Sequence, residues 1–313
     1  MQSVSIACGK NVYESLTKSL DYLGGVEAFF NENDHVLIKP NVCGGVPEKI
    51  GTFTCLEAIS ALIKKLEGKV KKITIGEADS SMYLADDMFE ANGLKILAKE
   101  LDVDLVNLSE GNMINKPIEA GYVKENIKVN EILKDVKIIS MPVAKTHCTT
   151  EVTLNLKNMF GVLPTRKKGK YHKKIDPIIA DINKALPPTL CIIDAYTCLE
   201  GEGPFHGEPV DLGIIVAGKN AVAVDSVMAT IMGYKPKDIM HIRLASEAGL
   251  GPMNLDEIEI IGENIKQVSR DFEKAPPENI SRPLSWIPGL GHFIVHYYYE
   301  TAVKNWKKQR KLK

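Results

Sequence analysis

Short apolar, β-branched runs alternate with amphipathic stretches along most of this chain, and that alternation constrains its fold more than any other feature. Val4–Ala7, Val36–Ile38, Lys72–Ile75, Val103–Val106, Val136–Met141 and Leu190–Ile193 read as strands. Between them, Tyr13–Leu23, Phe53–Leu66, Leu84–Ala91 and Pro177–Leu186 carry apolar residues at helical spacing. Strands that alternate with helices imply a mostly parallel sheet covered on both faces. A further unit at 211–261 adds the strands DLGIIVAG and EIEIIG, with helices near Ala221–Met232 and Asp238–Ala248. Residues 108–135 break the rhythm with turn formers and short alternating runs, which marks a small inserted lobe. The expected architecture is therefore α/β: a domain over 1–270, then a proline-rich connector and an amphipathic C-terminal helix over 271–313.

In an open α/β sheet, ligands bind in the crevice outside the carboxyl ends of the strands, so the residues that follow each strand carry the functional signal. The segment MPVAKTHCTTEVTLNLKNMFGVLP, 141–164, is the richest: behind a buried run come Lys145, Thr146, His147, Asn155, Lys157 and Asn158. Val36–Ile38 is followed by Lys39, Pro40 and Asn41, Lys72–Ile75 by Glu77 and Asp79, and Leu190–Ile193 by Asp194. Lysines and amides suit an anionic or carbonyl-bearing ligand, whereas carboxylates beside a Lys or His can handle protons or a metal. An Asp after a strand also commonly caps the next helix. The turn EGEGPFHG at 200–207 adds Glu202 and glycines that let a ligand approach the backbone. Asp225, early in the apolar helix AVAVDSVMATIMG, needs a partner there and reads as structural or supporting. The basic loop PTRKKGKYHKK at 164–174 reads either as a solvated face or as a lid that grips anions.

Six cysteines without close pairing argue against a secreted disulfide framework, and neither C-x-x-C nor a run of four closely spaced cysteines occurs. Cys43, Cys148 and Cys198 each follow a strand beside a motif, in KPNVC, KTHC and DAYTC. Converging, they would suit an iron–sulfur cluster with one open iron, or a thiolate metal site completed by His147 or a carboxylate. The other reading, small thiols in tight loops that never meet, stays open because no local spacing supports the cluster.

Charge excludes one class of partner: 39 basic against 40 acidic residues give no overall field to gather nucleic acid. No G-x-G-x-x-G follows a strand and no Walker pattern occurs, which disfavours NAD and ATP. MQSVSIACGK does not have the order of a signal peptide, so the expected location is cytoplasmic. The helix expected over Leu290–Lys308 has an aromatic face broken by His292, His296 and Glu300, and it ends in KNWKKQRKLK. It is too polar to span a bilayer, but it could dock on the chain's own core, on a partner subunit or on an anionic membrane surface.

IKPN at 38–41, MPVAKTH with TLNLKNMFGVLP, the DAYTCLEGEGP loop and GKNAVAVDSVMATIMG together resemble the domain-of-unknown-function 362 (DUF362) proteins of archaea and bacteria. The resemblance covers most of residues 1–250. It implies an α/β fold and an anaerobic, often iron–sulfur-linked setting, because relatives frequently carry a fused ferredoxin-like segment that this sequence does not show. No reaction follows from it.

The functional expectation is a cytoplasmic enzyme acting on a small anionic metabolite or cofactor precursor. Lys39, Lys145 and Lys157 would hold the anion, with Asn41, Asn155 and Asn158 beside them. His147 would move protons, because an unperturbed imidazole changes charge near neutral pH. Glu77, Asp79, Asp194 and Glu202 would supply base, ligand or orienting groups, and proton transfer or iron–sulfur-linked redox chemistry would be the reaction. A second expectation is a non-catalytic carrier or maturation protein for a cluster or cofactor, working with a ferredoxin or a partner enzyme. A third is a membrane-surface or partner-docking protein that acts through its basic tail.

Overall fold

The computed structural model describes residues 1–42, 50–118, 121–122 and 126–275. The expected C-terminal helix and Cys43 lie outside them. Among the described residues twelve strands are formed: β1 Gln2–Cys8, β2 His35–Pro40, β3 Lys72–Glu77, β4 Asp104–Asn107, β5 Met113–Lys116, β6 Ile127–Asn130, β7 Lys137–Met141, β8 Val143–His147, β9 Glu151–Thr153, β10 Leu190–Glu200, β11 Glu208–Gly218 and β12 Ile258–Gly262. Ten of them make one sheet whose main path runs β12-β1-β11-β10-β7-β2-β3-β4, while β5 and β6 pair separately.

The run from β10 to β4 is parallel throughout, and β11 is the antiparallel element, hydrogen-bonded to both β1 and β10. Alternation along the strands sorts side chains to two cores. Val36 and Ile38 face the helices Val12–Asp21, Leu56–Leu66, Ala85–Ala91 and Leu94–Glu100, whereas Leu37 faces Asn155–Met159, Ile175–Ala185, Ala221–Ile231 and Met240–Glu247. The fold is the expected α/β arrangement of a mostly parallel sheet with helices on both faces.

Two local departures bear on the site. The polar stretch after Pro142, expected to be loop, forms the short strand β8, which pairs parallel to β10 and antiparallel to β9. The strand starting at Leu190 continues through Glu200 with an irregularity between Ala195 and Thr197, so Asp194 and Cys198 lie within a strand rather than after one.

Candidate functional site

Lys39 follows Leu37 on the same face of β2, and its side chain therefore points toward the helix Asn155–Met159. It is fully buried, and its Nζ donates to Glu77 Oε1 at 2.8 Å, Asn158 Oδ1 at 3.2 Å and the Pro40 carbonyl at 3.0 Å. Glu77 is delivered by the next strand, β3, and also accepts the N–H groups of Val42 and Ala78. Asn158 is held in one orientation, since its Nδ2 donates to the Lys39 carbonyl at 3.0 Å and to Ser140 Oγ at 3.1 Å. Gly161 lies against this pair: a Cβ there would stand 2.7 Å from Lys39 Nζ and 2.9 Å from Glu77 Oε1.

Lys145, on β8, is likewise buried and donates to Asn41 Oδ1 at 2.7 Å and to the Thr52 carbonyl at 2.7 Å. Asn41 Nδ2 then donates to Asn158 Oδ1 at 3.4 Å. Two buried ammonium groups from different strands thus join through two amides, and Glu77 closes the network on the Lys39 side. Thr54 ties the segment before the helix Leu56–Leu66 into it: its Oγ1 accepts from Asn41 N–H at 2.8 Å and donates to the Met141 carbonyl at 2.7 Å.

Two more buried carboxylates border the network, and both bind backbone amides. Asp194 Oδ2 accepts the Cys55 N–H at 2.8 Å and its Oδ1 the Tyr196 N–H at 3.2 Å. Burial pushes its carboxyl up to about 6 against those two hydrogen bonds. Asp225 Oδ1 accepts Asn155 N–H at 2.9 Å and Asn155 Nδ2 at 3.1 Å, while its Oδ2 accepts Leu156 N–H at 2.8 Å. Burial pushes this carboxyl up to about 7, also against its donors.

The expected site residues therefore divide. Lys39, Asn41, Glu77, Lys145 and Asn158 are joined directly. Asn155 is turned away to Asp225, and Lys157 places its Nζ 5.0 Å from the centre of the Phe160 ring, together with Lys168 of the basic segment at 5.9 Å. Asp79 caps the helix Ala85–Ala91 by accepting Ala85 N–H at 2.9 Å and meets Asn107 Nδ2 at 3.3 Å. His147 ends β8, half-buried, with Nδ1 accepting Thr149 N–H at 3.1 Å. Glu202 is exposed on the β10–β11 turn. That turn approaches the loop after β3 through Phe205 and Tyr83, whose ring centres are 6.1 Å apart.

Of the three cysteines expected to share a metal, Cys198 is sealed in the apolar core, where burial pushes its thiol well above the usual range. Cys148 is half-buried on the turn after β8, 3.7 Å from Thr149 Oγ1. Among the described residues no three His, Cys, Asp or Glu side chains are grouped to hold a metal ion.

Sequence reasoning missed Thr52, Thr54, Ser140 and Gly161. The signal for Gly161 was present in the NMFGV run, where a glycine follows Asn158 by three residues. The contributions of Thr52 and Thr54 depend on a segment folding back onto β7 and β8, which no local pattern announces.

The chain is 26% identical over 259 residues to the thylakoid-associated protein sll1697 of Synechocystis sp., covering 80% of this chain and 79% of that one. Among solved structures it resembles the lactate racemase apoprotein of Thermoanaerobacterium thermosaccharolyticum, with a TM-score of 0.44, 10% identity and coverage of 77% of this chain. A crystal structure of a Thermotoga maritima protein gives a TM-score of 0.40, 14% identity and 75% coverage. The chain spans 56% and 59% of the lengths of those two structures. Residues 36–230, which contain the whole lysine network and both flanking carboxylates, match the model of the family described as "Domain of unknown function (DUF362)", and the chain belongs to that family.

Proposed function

We propose that this protein is an enzyme that binds a small anionic metabolite or cofactor precursor over the carboxyl ends of β2, β3 and β8. The observation that carries the reading is the pair of wholly buried lysines, Lys39 and Lys145, joined through Asn41 and Asn158. Burying an ammonium group costs several kcal/mol unless it is well compensated, and apolar residues would fill a purely structural position at lower cost. A buried polar network of this kind lies where ligands bind in open α/β sheets, at the carboxyl ends of the strands. Lys145 would hold the anion, Lys39 and Glu77 would fix Asn158 and Asn41 around it, and His147, two residues beyond Lys145 on the same strand face, would transfer a proton. The basic segment over 166–174 would add positive charge beside it.

Isothermal calorimetry of the full chain against inorganic phosphate, citrate and malate tests this reading, with Lys145→Gln as the variant. Saturable binding to at least one of them, weakened tenfold or more by Lys145→Gln in a protein whose circular dichroism is unchanged, supports it. No binding to any of the three, or equal binding by the variant, would sink it.

Attachment to a membrane surface is a second reading, favoured by the thylakoid-associated relative and by the basic end KNWKKQRKLK. Among the described residues no helix is long and apolar enough to cross a membrane. Sedimentation with vesicles containing anionic lipid, compared with neutral vesicles, tests it: equal recovery with both would remove the electrostatic basis.

A further inference from the structure

We propose that Asp194 and Asp225 are the positioning residues of the lysine network, two buried carboxylates that clamp, from opposite faces of the sheet, the two segments from which the network draws its partners. On one face, Asp225 grips the backbone amides of Asn155 and Leu156. The helix it holds is only five residues long, Asn155–Met159, too short to keep its own place. Asn158 lies one turn beyond Asn155 and is the residue that meets Lys39 and Asn41. On the other face, Asp194 grips the Cys55 amide, at the end of the segment whose Thr52 carbonyl accepts Lys145 and whose Thr54 hydroxyl fixes Asn41. Each amide of the network thus depends on a segment whose far end is anchored by one of these acids.

Plain helix capping does not account for the choice of residue. Among the described residues, four helices are capped from two or three residues away by neutral asparagines, Asn11, Asn130, Asn220 and Asn264, and Asp79 caps another from six residues away. Asp194 and Asp225 instead act across 139 and 70 residues, from full burial. Burial raises both carboxyls, so each is retained at a cost that an asparagine would avoid. A carboxylate offers what asparagine lacks, acceptor capacity on both oxygens, and each acid uses both oxygens for N–H donors.

The importance of this positioning rests on the network being the anion site, but its test does not. In deuterated, 15N-labelled full-length protein, the side-chain amide signals of Asn158 and Asn41 and the Nζ signals of Lys39 and Lys145 report the network directly. Asp225→Ala should displace the Asn158 and Lys39 signals, and Asp194→Ala those of Asn41 and Lys145. Val227→Ala, a cavity in the same apolar helix as Asp225, should lower stability and leave all four in place. Asp225→Asn, which keeps one acceptor oxygen, should remain folded if the alanine variant does not, and should still move Asn158. Unmoved Asn158 signals in a folded Asp225 variant, or equal displacement by Val227→Ala, would overturn the proposal. Titration of the wild-type protein with inorganic phosphate is read separately: silence at all four groups counts against phosphate as the anion and leaves the positioning role standing.

Discussion

Replacing Asp225 by Asn should change how stability depends on pH, with a sign that the structure dictates. The Asp225 carboxyl is raised from 3.8 to about 7 in the folded chain, with burial the largest cause. Below about pH 4 both folded and unfolded chains hold this proton, so the group contributes no pH dependence. From about pH 4 to about pH 7 the unfolded chain has released the proton while the folded chain keeps it, and stability falls as pH rises through that window. Above about 7 both are ionised and the loss levels off. A carboxyl raised from 3.8 to about 7 corresponds to at most about 4 kcal/mol of stability lost across the window. The assay is urea unfolding of wild type and Asp225→Asn at half-unit steps across this range, read by circular dichroism. Contributions from Asp194 and from His241, a buried imidazole in the helix Met240–Glu247 that burial pushes down, are common to both proteins and cancel in the difference. The Cys191 thiol that faces Asp225 is pushed well above its usual range and stays neutral throughout. The wild type should therefore lose stability relative to the variant as pH rises. A flat difference would mean an unshifted carboxyl. A difference rising with pH would mean that the three N–H donors outweigh burial, and the argument from cost would fail with it.

Lys39→Met should cost about 3–5 kcal/mol in urea unfolding, because Glu77 is left buried without its cation, and Lys39→Met combined with Glu77→Gln should recover a substantial part. Equal losses in the single and double variants would show that the pair is not coupled. Cys198→Ser should cost about 1–3 kcal/mol by burying a hydroxyl in an apolar core, and should leave the iron and zinc content of anaerobically purified protein unchanged; a loss of metal would restore Cys198 as a ligand. Neutralising Arg166, Lys167, Lys168 and Lys170 to Gln should weaken binding of the anion identified by calorimetry, more at low salt than at high salt. Unchanged affinity at low salt would reduce the segment to a solvated face.

Legibility in the sequence followed the range of the interactions. The strands β1, β2, β3 and β7 were readable because a run of apolar, β-branched residues is enough to specify a strand buried on both faces. The polar strand β8 was not, since Lys145, Thr146 and His147 are acceptable in a strand only because partners such as Asn41, 104 residues away, satisfy Lys145. The extension of β10 past Ile193 was hidden for the same reason: DAYTCLE has no strand period of its own and is held by pairing with β11. Within the site, grouping residues by their position after a strand named Lys39, Asn41, Glu77, Lys145 and Asn158, which the structure joins by hydrogen bonds. It also named Asn155 and Lys157, which a helical turn directs elsewhere. Once Asn155–Met159 is a helix, residues two apart diverge, and Lys157 cannot share the direction of Asn155 or Asn158.

The identity of the buried charges carries the last step. An acid at a strand end is ordinarily explained by the helix it caps, and Asp79 is explained in that way. The same explanation covers the hydrogen bonds of Asp194 and Asp225 but not their wholly buried setting, nor the fact that the segments they hold deliver their polar groups to two buried lysines. If the two acids only stabilise the fold, relaxing either clamp would lower stability and leave the network in place. If they position the network, its geometry should respond to Asp194 and Asp225 separately, Lys145 following one acid and Lys39 the other. Two separate responses at a single network would assign each acid its own part of the geometry, and they are the outcome that the arrangement of these residues leads us to expect.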